Sequence, residues 1–338
     1  MSYLGPNSTP LLASRLHVRK EKDAWAIESE DSTILIKGDN LSRINKVFSL
    51  LDGATQIHKI AAQSEMNAKD LDAILSALVD NDLLLDTSGG IEARSQEDFI
   101  QYYHVECRFL TKNIFNQPFW SKVLSGQASQ ALLLGWGIEF FHYVEAANEH
   151  MAMSVAQCRN NAELQLLLAK HYAEEFDHGK IFLKGLVNSG LDGESVRQSP
   201  PLASTRALIN FLRELAESDF LSYLACFGIM HSARENTTRE HIEQFFRLLG
   251  DQYPSAKEMF NAFCEHASID ADLNHQKTIF EQLSDKPSQI PQFAFPQIMI
   301  AIRLCSQHFM QFFEGILDFY NTAKTVYPRV NPDVRFLL

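Results

Sequence analysis

Residues 15 to 37 alternate apolar and polar side chains in three short runs, "RLHVRK", "DAWAIES" and "STILIKG", separated by charged turns. A period of two marks half-buried strands, so this stretch predicts a small sheet. The period then lengthens. "LSRINKVFSLL", closed by the turn "DG", leads into "ATQIHKIAAQS" and then "AKDLDAILSALVDNDLLLD", three helical patterns in succession. "TSGGIEARSQ" at 87–96 has the composition of a linker. The expected division is therefore 1–95 for a small α+β module of winged-helix type and 96–338 for an all-α domain.

Beyond the linker the strand patterns vanish. Helical periodicity covers 97–126, 128–157, 161–188, 203–234, 238–249, 254–283 and 293–324, with breaks at "NSGLDGESVRQSPP", "GDQYPS" and "SDKPSQIPQ". Helices of this length predict a bundle large enough to enclose a cavity.

Composition narrows the functional classes. A net charge of −12 argues against a generic nucleic-acid binder, whose affinity rests on a basic surface. No apolar run reaches the ~18 residues of a membrane span, and "MSYLGPNSTPLLASRLHVRK" lacks a charged segment followed by an apolar one. The five cysteines are scattered and without a CxxC pair, as expected of reduced thiols in a cytoplasmic protein. No P-loop, Rossmann fingerprint or serine-hydrolase elbow falls in a matching context.

The informative positions are polar residues on stripes that should be greasy. In "AKHYAEEFDHGKIFLKGL", His171, Glu175 and His178 line up with Leu164, Leu167, Phe182 and Leu186, while Lys170, Glu174, Asp177 and Lys180 fall outside that arc. Glu-x-x-His on a helix places a carboxylate and an imidazole side by side, a metal-ligand spacing. In "LSYLACFGIMHSAREN", His231 and Glu235 continue the face of Leu221, Leu224 and Gly228. In "MFNAFCEHASIDADLNHQKTIF", His266 and Asp270 share the face of Met259, Ala262, Phe263, Leu273 and Phe280. Upstream, "GIEFFHYVEAANEHM" groups Glu139, His142, Glu145 and Glu149 in one broad polar arc, which a solvated face would explain equally well. A single helical histidine is ordinarily a hydrogen-bonded core residue. Three helices that each place a carboxylate and a histidine on the apolar face predict a shared interior cluster of nitrogen and oxygen ligands. Without thiolates, that donor set suits iron or manganese better than structural zinc.

With those residues in view, "HYAEEFDHGKIF" and "HASID" give the C-terminal part a resemblance to the haem-oxygenase-like di-iron oxidases, relatives of the thiaminase-II and pyrroloquinoline-quinone-synthase folds, over about residues 100–325. The resemblance implies a mainly α, haem-oxygenase-like bundle that uses iron(II), one or two ions, and dioxygen as co-substrate. It implies ligand roles for Glu175 and His178, for His266 and Asp270, and for Glu235 with His231 as its competitor. Glu145 is the first choice on the first helix, with Glu139, His142 and Glu149 as alternatives. The family's final motif has a third histidine where this chain has Leu273; Asn274, or His275 on a distorted helix, would have to substitute, so the iron count expected is one or two.

The stretch "VFSLLDGATQIHKIAAQSEMNAKDLDAILSALVDNDLLLD" resembles the precursor-peptide recognition domains of ribosomal-peptide biosynthesis, of pyrroloquinoline-quinone chaperone type. Such modules add a leader peptide as a strand to a sheet edge. The fusion implies an amino-acid, peptide or carrier-bound substrate in a natural-product pathway. A plain winged-helix module used for packing or homodimerisation is the alternative at this end. For the helical part the alternatives are a metal-free or thiaminase-like relative, a ferritin-like carboxylate protein, or a non-catalytic scaffold.

Overall fold

The computed structural model describes residues 4–14, 16–21, 24–28, 33–37, 41–89, 95–230, 239–272, 279–284, 290–322 and 326. The chain divides into two compact units, Met1–Gln117 with Pro287–Met299, and Pro118–Lys286 with Ile300–Leu338.

In the first unit the alternating runs form β2 (His17–Lys20), β3 (Ala24–Glu28) and β4 (Thr33–Lys37), an antiparallel sheet in the order β2-β3-β4 with Val18 opposite Ile27 and Ile27 opposite Ile34. The helical patterns become α1 (Leu41–Leu50), α2 (Ile57–Ser64) and α3 (Ala68–Asp80). Asn67 starts α3 by accepting from the Asp70 amide, and Leu71, Ile74, Leu75 and Leu78 supply its buried stripe. Two strands of three residues each escape the periodicity, β1 (Pro10–Leu12) and β5 (Leu84–Asp86), which pair antiparallel. The unit also takes in α4 (Gln96–Phe115), beyond the linker. Its Arg108 pairs with Asp82 at 2.8 Å, its Asn113 side chain accepts from the Ser14 amide at 2.7 Å, and Phe99 stacks on Phe295 at 3.8 Å.

The second unit is built on α6 (Gln130–Gln157), whose first half is buried nearly all round by Leu132, Leu133, Leu134, Trp136, Ile138 and Phe141. Against it pack α7 (Ala162–Glu175), α8 (His178–Asn188) and α10 (Ala203–Ser218); α13 (Lys257–Asp272) lies on α8, and α12 (Arg239–Gln252) on α13. The remaining helices are α5 (Pro118–Leu124), α9 (Gly193–Gln198), α11 (Phe220–Met230), α14 (Ile279–Ser284) and α15 (Phe295–Tyr320), whose first residues belong to the other unit.

Several of the long helical stretches are interrupted. The 97–126 pattern stops before Pro118, which lacks an amide hydrogen and opens α5 instead. The 203–234 pattern breaks at Asp219, whose carboxylate accepts from the Ser222 amide at 3.2 Å and restarts the chain as α11. The 161–188 pattern breaks at Phe176 and Asp177, and that break positions the site described next. Among the described residues no helix is long and apolar enough to cross a membrane.

Candidate metal centre

Asn161 caps α7 by accepting from the Leu164 amide, and Leu164 and Leu168 bury its inner face. The helix ends at Glu175. After two exposed residues α8 begins at His178, with Asp177 at its N-cap in a non-helical conformation (φ −107°, ψ 5°). Glu175 and His178 thus sit on either side of a helix break and turn inward together. Nδ1 of His178 lies 2.7 Å from Oε2 of Glu175, with side-chain exposures of only 7% and 9%.

His266, from α13, completes the group. Its ring meets that of His178 edge-on at 4.7 Å, and one ligand atom from each of Glu175, His178 and His266 lies within 4.8 Å of the others. The wall beside them is aromatic: Phe182, one turn along α8, meets His266 at 5.0 Å, Phe263 at 5.0 Å and Phe140 at 4.9 Å. A carboxylate buried to this degree is costly unless paired or metal-bound. Two imidazoles and one carboxylate, converging without a thiolate, form a donor set that suits non-haem iron(II). The residues present fit iron.

The other candidates go elsewhere. Glu139 is fully buried, but its carboxylate accepts from the Leu202 amide at 2.9 Å, the Thr205 hydroxyl at 2.5 Å and the Tyr320 hydroxyl at 3.0 Å. It serves the start of α10, and burial pushes its pKa up against the pull of those three donors. The Tyr320 ring comes this close because it lies where a Cβ on residue 135 would stand, and residue 135 is glycine. His142 is hydrogen-bonded through Nε2 to the Ser199 hydroxyl at 3.0 Å, and burial together with Arg206 lowers its pKa to about 4. Glu149 is exposed and pairs with Arg213. His171 meets Phe227 edge-on at 5.9 Å and stands outside the close group. The arc on α6 is therefore neither wholly solvated nor wholly a ligand face.

Glu145 is exposed, yet its carboxylate occupies the space a Cβ on Gly179 would fill, one residue from His178. The backbone of Asp270 continues α13 one turn beyond His266, but its side chain lies outside the described residues. Glu235, His231, Leu273, Asn274 and His275 also lie outside them.

Sequence reasoning passed over three buried neighbours. Tyr143 on α6 has its phenol pushed up by burial, with the Glu175 carboxylate adding to it. Tyr223 on α11 lies 2.6 Å from Nδ1 of His150 on α6. Tyr143 and His150 are seven apart, hence on one helix face, which was the available signal.

A sequence profile described as "Iron-containing redox enzyme" matches residues 134–307. No curated protein is significantly similar in sequence. The solved structure of a domain of unknown function with a heme oxygenase-like fold, from Shewanella denitrificans OS217, superposes with a TM-score of 0.51 at 16% identity, covering 70% of this chain and 100% of that one. A TenA homologue from Pseudomonas syringae pv. tomato str. DC3000 superposes with a TM-score of 0.51 at 10% identity, over 68% of this chain and 98% of its own. At these identities the likeness is one of fold, a mainly helical haem-oxygenase-like architecture. The profile covers more than half of the 338 residues and includes Glu175, His178 and His266: the chain belongs to the iron-containing redox enzyme family.

Proposed function

We propose that the protein is a non-haem iron, dioxygen-dependent oxidase or oxygenase of the cytoplasm. The observation that carries this reading is the convergence of Glu175, His178 and His266 within 4.8 Å against an aromatic wall. These three residues would hold one iron(II). Glu145 beside Gly179, Asp270 on α13, and Glu235 are the carboxylates proposed to complete the set or hold a second ion. Bound iron(II) would supply the reducing electrons and the open coordination position that dioxygen activation requires.

The chain's own contribution follows from its geometry. The break at 176–177 brings the Glu175 carboxylate to 2.7 Å from Nδ1 of His178, so that the two side chains would face one ion together. Phe140, Phe182 and Phe263 line the His266 side with apolar rings, and a less polar surrounding would strengthen electrostatic interactions there. A thiaminase-like reading would need a reactive thiolate. Cys226 is fully buried, and burial pushes the Cys264 thiol up, away from the thiolate.

The substrate is proposed to be an amino acid, free, within a peptide or on a carrier, in a natural-product pathway. The first unit would recruit it as a winged-helix-type peptide module: β2 and β4 are the edges of their sheet, and an edge strand offers unpaired backbone groups to a peptide.

Anaerobic reconstitution with iron(II), followed by metal counting and oxygen consumption, tests the reading. One or two irons per chain, with oxygen uptake that requires the metal, is the expected result. A chain that takes up no iron, and for which Glu175→Ala and His266→Ala change nothing, refutes it.

A further inference from the structure

The contact between Tyr223 on α11 and His150 on α6 lies outside the three-residue centre. Phenol oxygen and Nδ1 lie 2.6 Å apart, with each residue 1% exposed. Nε2 of the same imidazole is buried and has no hydrogen-bond partner among the described residues. A buried polar atom left in that state is costly, so its retention calls for a reason. Two intervening rings link the pair to the helix that carries Glu175. Tyr223 meets Phe227 edge-on at 5.1 Å, Phe227 meets His171 at 5.9 Å, and His171 stands one turn before Glu175 on α7. Burial raises the Tyr223 phenol well above its ordinary value, with Tyr143, Cys226 and the Glu175 carboxylate adding to it.

We propose that Tyr223 and His150 form a redox-active pair, able to supply one electron to the oxidant that iron(II) and dioxygen would furnish where Glu175, His178 and His266 would hold the metal. The inference rests on the iron reading above. In the step, the phenol O–H bond breaks, an N–H bond forms at Nδ1 of His150, and one electron leaves the ring for that oxidant. The products are a neutral phenoxyl radical, an imidazolium and an oxidant reduced by one electron. A one-electron donor, the substrate or an external thiol, restores the phenol, and the proton returns from Nδ1.

The surroundings suit that cycle. Burial and the nearby Arg213 hold His150 down to about 3, so the imidazole starts neutral and able to accept. An oxidised phenol is a far stronger acid than even that imidazolium, and a reduced phenol a far weaker one, so the proton leaves and returns with the electron. Trp136 provides the contrast. It lies in the aromatic cluster, 4.6 Å from Phe263, but its buried Nε1 has no partner among the described residues. An oxidised Trp136 would have nowhere to pass its proton.

The test uses the full-length protein in two arms read by electron paramagnetic resonance, with ring-deuterated tyrosine to assign the signal. In one, metal-free protein is photo-oxidised with ruthenium tris-bipyridine and persulfate. In the other, iron(II)-loaded protein is mixed with oxygen and freeze-quenched. Tyr223→Phe, which keeps the ring, is expected to cut the long-lived tyrosyl signal roughly tenfold in both arms; His150→Phe shortens its lifetime by a similar factor, as loss of a strong hydrogen bond to the acceptor requires. Both variants keep the wild-type iron count. An undiminished signal in Tyr223→Phe, or iron-loaded wild type that gives no tyrosyl signal with oxygen, overturns the pair while leaving the iron reading intact. Failure of the wild type to bind iron overturns the iron reading and the pair's assigned task together, and the iron count tells the two failures apart.

Discussion

Two parts of the second unit carry the same motif, Glu-x-x-His: Glu139–His142 on α6, and Glu175–His178 across the junction of α7 and α8. In both, the carboxylate is buried. On α6 the helix is unbroken, and Glu139 meets three donors from elsewhere in the chain, an amide and two hydroxyls, while His142 is bonded to Ser199. At the α7–α8 junction the helix breaks within the motif, and the carboxylate and imidazole face each other and His266. One motif ties helices together; the other gathers ligand-type side chains. Spacing along a helix settles which residues are neighbours, but the partners that arrive from distant segments settle what the pair does.

The two motifs should differ most in iron affinity. Glu175→Ala and His178→Ala are each expected to weaken iron(II) binding ~100-fold or more, since each removes a primary donor, whereas Glu139→Ala changes it less than about threefold. Anaerobic titration against a competing chelator measures both. Equal losses at the two motifs would show that both, or neither, hold the metal.

Stability should show the reverse order. Glu139→Ala leaves the Leu202 amide and the Thr205 and Tyr320 hydroxyls without their acceptor in the interior, a loss of ~2–4 kcal/mol by urea denaturation. Glu139→Gln keeps one acceptor oxygen and the volume, and should recover part of it.

Acid titration sharpens the α6 half of the comparison. His142 falls from an ordinary 6.5 to about 4 in the folded chain, so as pH drops below 6.5 the unfolded state takes up its proton first. The stability present above pH 6.5 is lost progressively down to about pH 4, by ~2–3 kcal/mol once partial solvent access is allowed for. His142→Gln should flatten that loss in urea midpoints taken across the window. Glu139 acts with opposite sign. Its raised pKa makes the folded state bind the proton more readily, so it adds stability as pH falls toward the ordinary 4.5. A difference between His142→Gln and wild type that does not grow on acidification would contradict the assignment.

The parts of this molecule legible in sequence are those with a strong period or a strong anomaly. β2 to β4 and α1 to α3 follow from alternation and from amphipathic spacing. β1 and β5, at three residues each, are too short to show a period. The break at Phe176–Asp177 has no proline or glycine to announce it, so 161–188 reads as one helix. Glu175, His178 and His266 are legible as polar residues on greasy stripes. Glu139 shares the Glu-x-x-His spacing but reads as part of a polar arc, and its partners stand 63, 66 and 181 residues away. Tyr223 is invisible to the same reasoning: a tyrosine on an apolar helix is ordinary core, and the partner that singles it out, His150, is 73 residues distant.

The smallest expected effect concerns Gly179, where the α7–α8 motif touches α6. A Cβ at this position would collide with the Glu145 carboxylate, whereas the Glu145 backbone, with Cα 3.6 Å away, is in ordinary contact. A carboxylate at the end of a flexible side chain can swing aside, so Gly179→Ala should cost under ~1 kcal/mol of stability, offset in part by alanine's better helix propensity. The swing would carry Glu145 away from His178. If Glu145 assists the centre, iron affinity falls about tenfold in Gly179→Ala although no proposed ligand has been altered, the size of effect expected from a displaced supporting group. Glu145→Gln should show a similar loss, and the double variant no more than either alone. Unchanged affinity in Gly179→Ala would confine the centre to Glu175, His178 and the residues of the helices beyond α8.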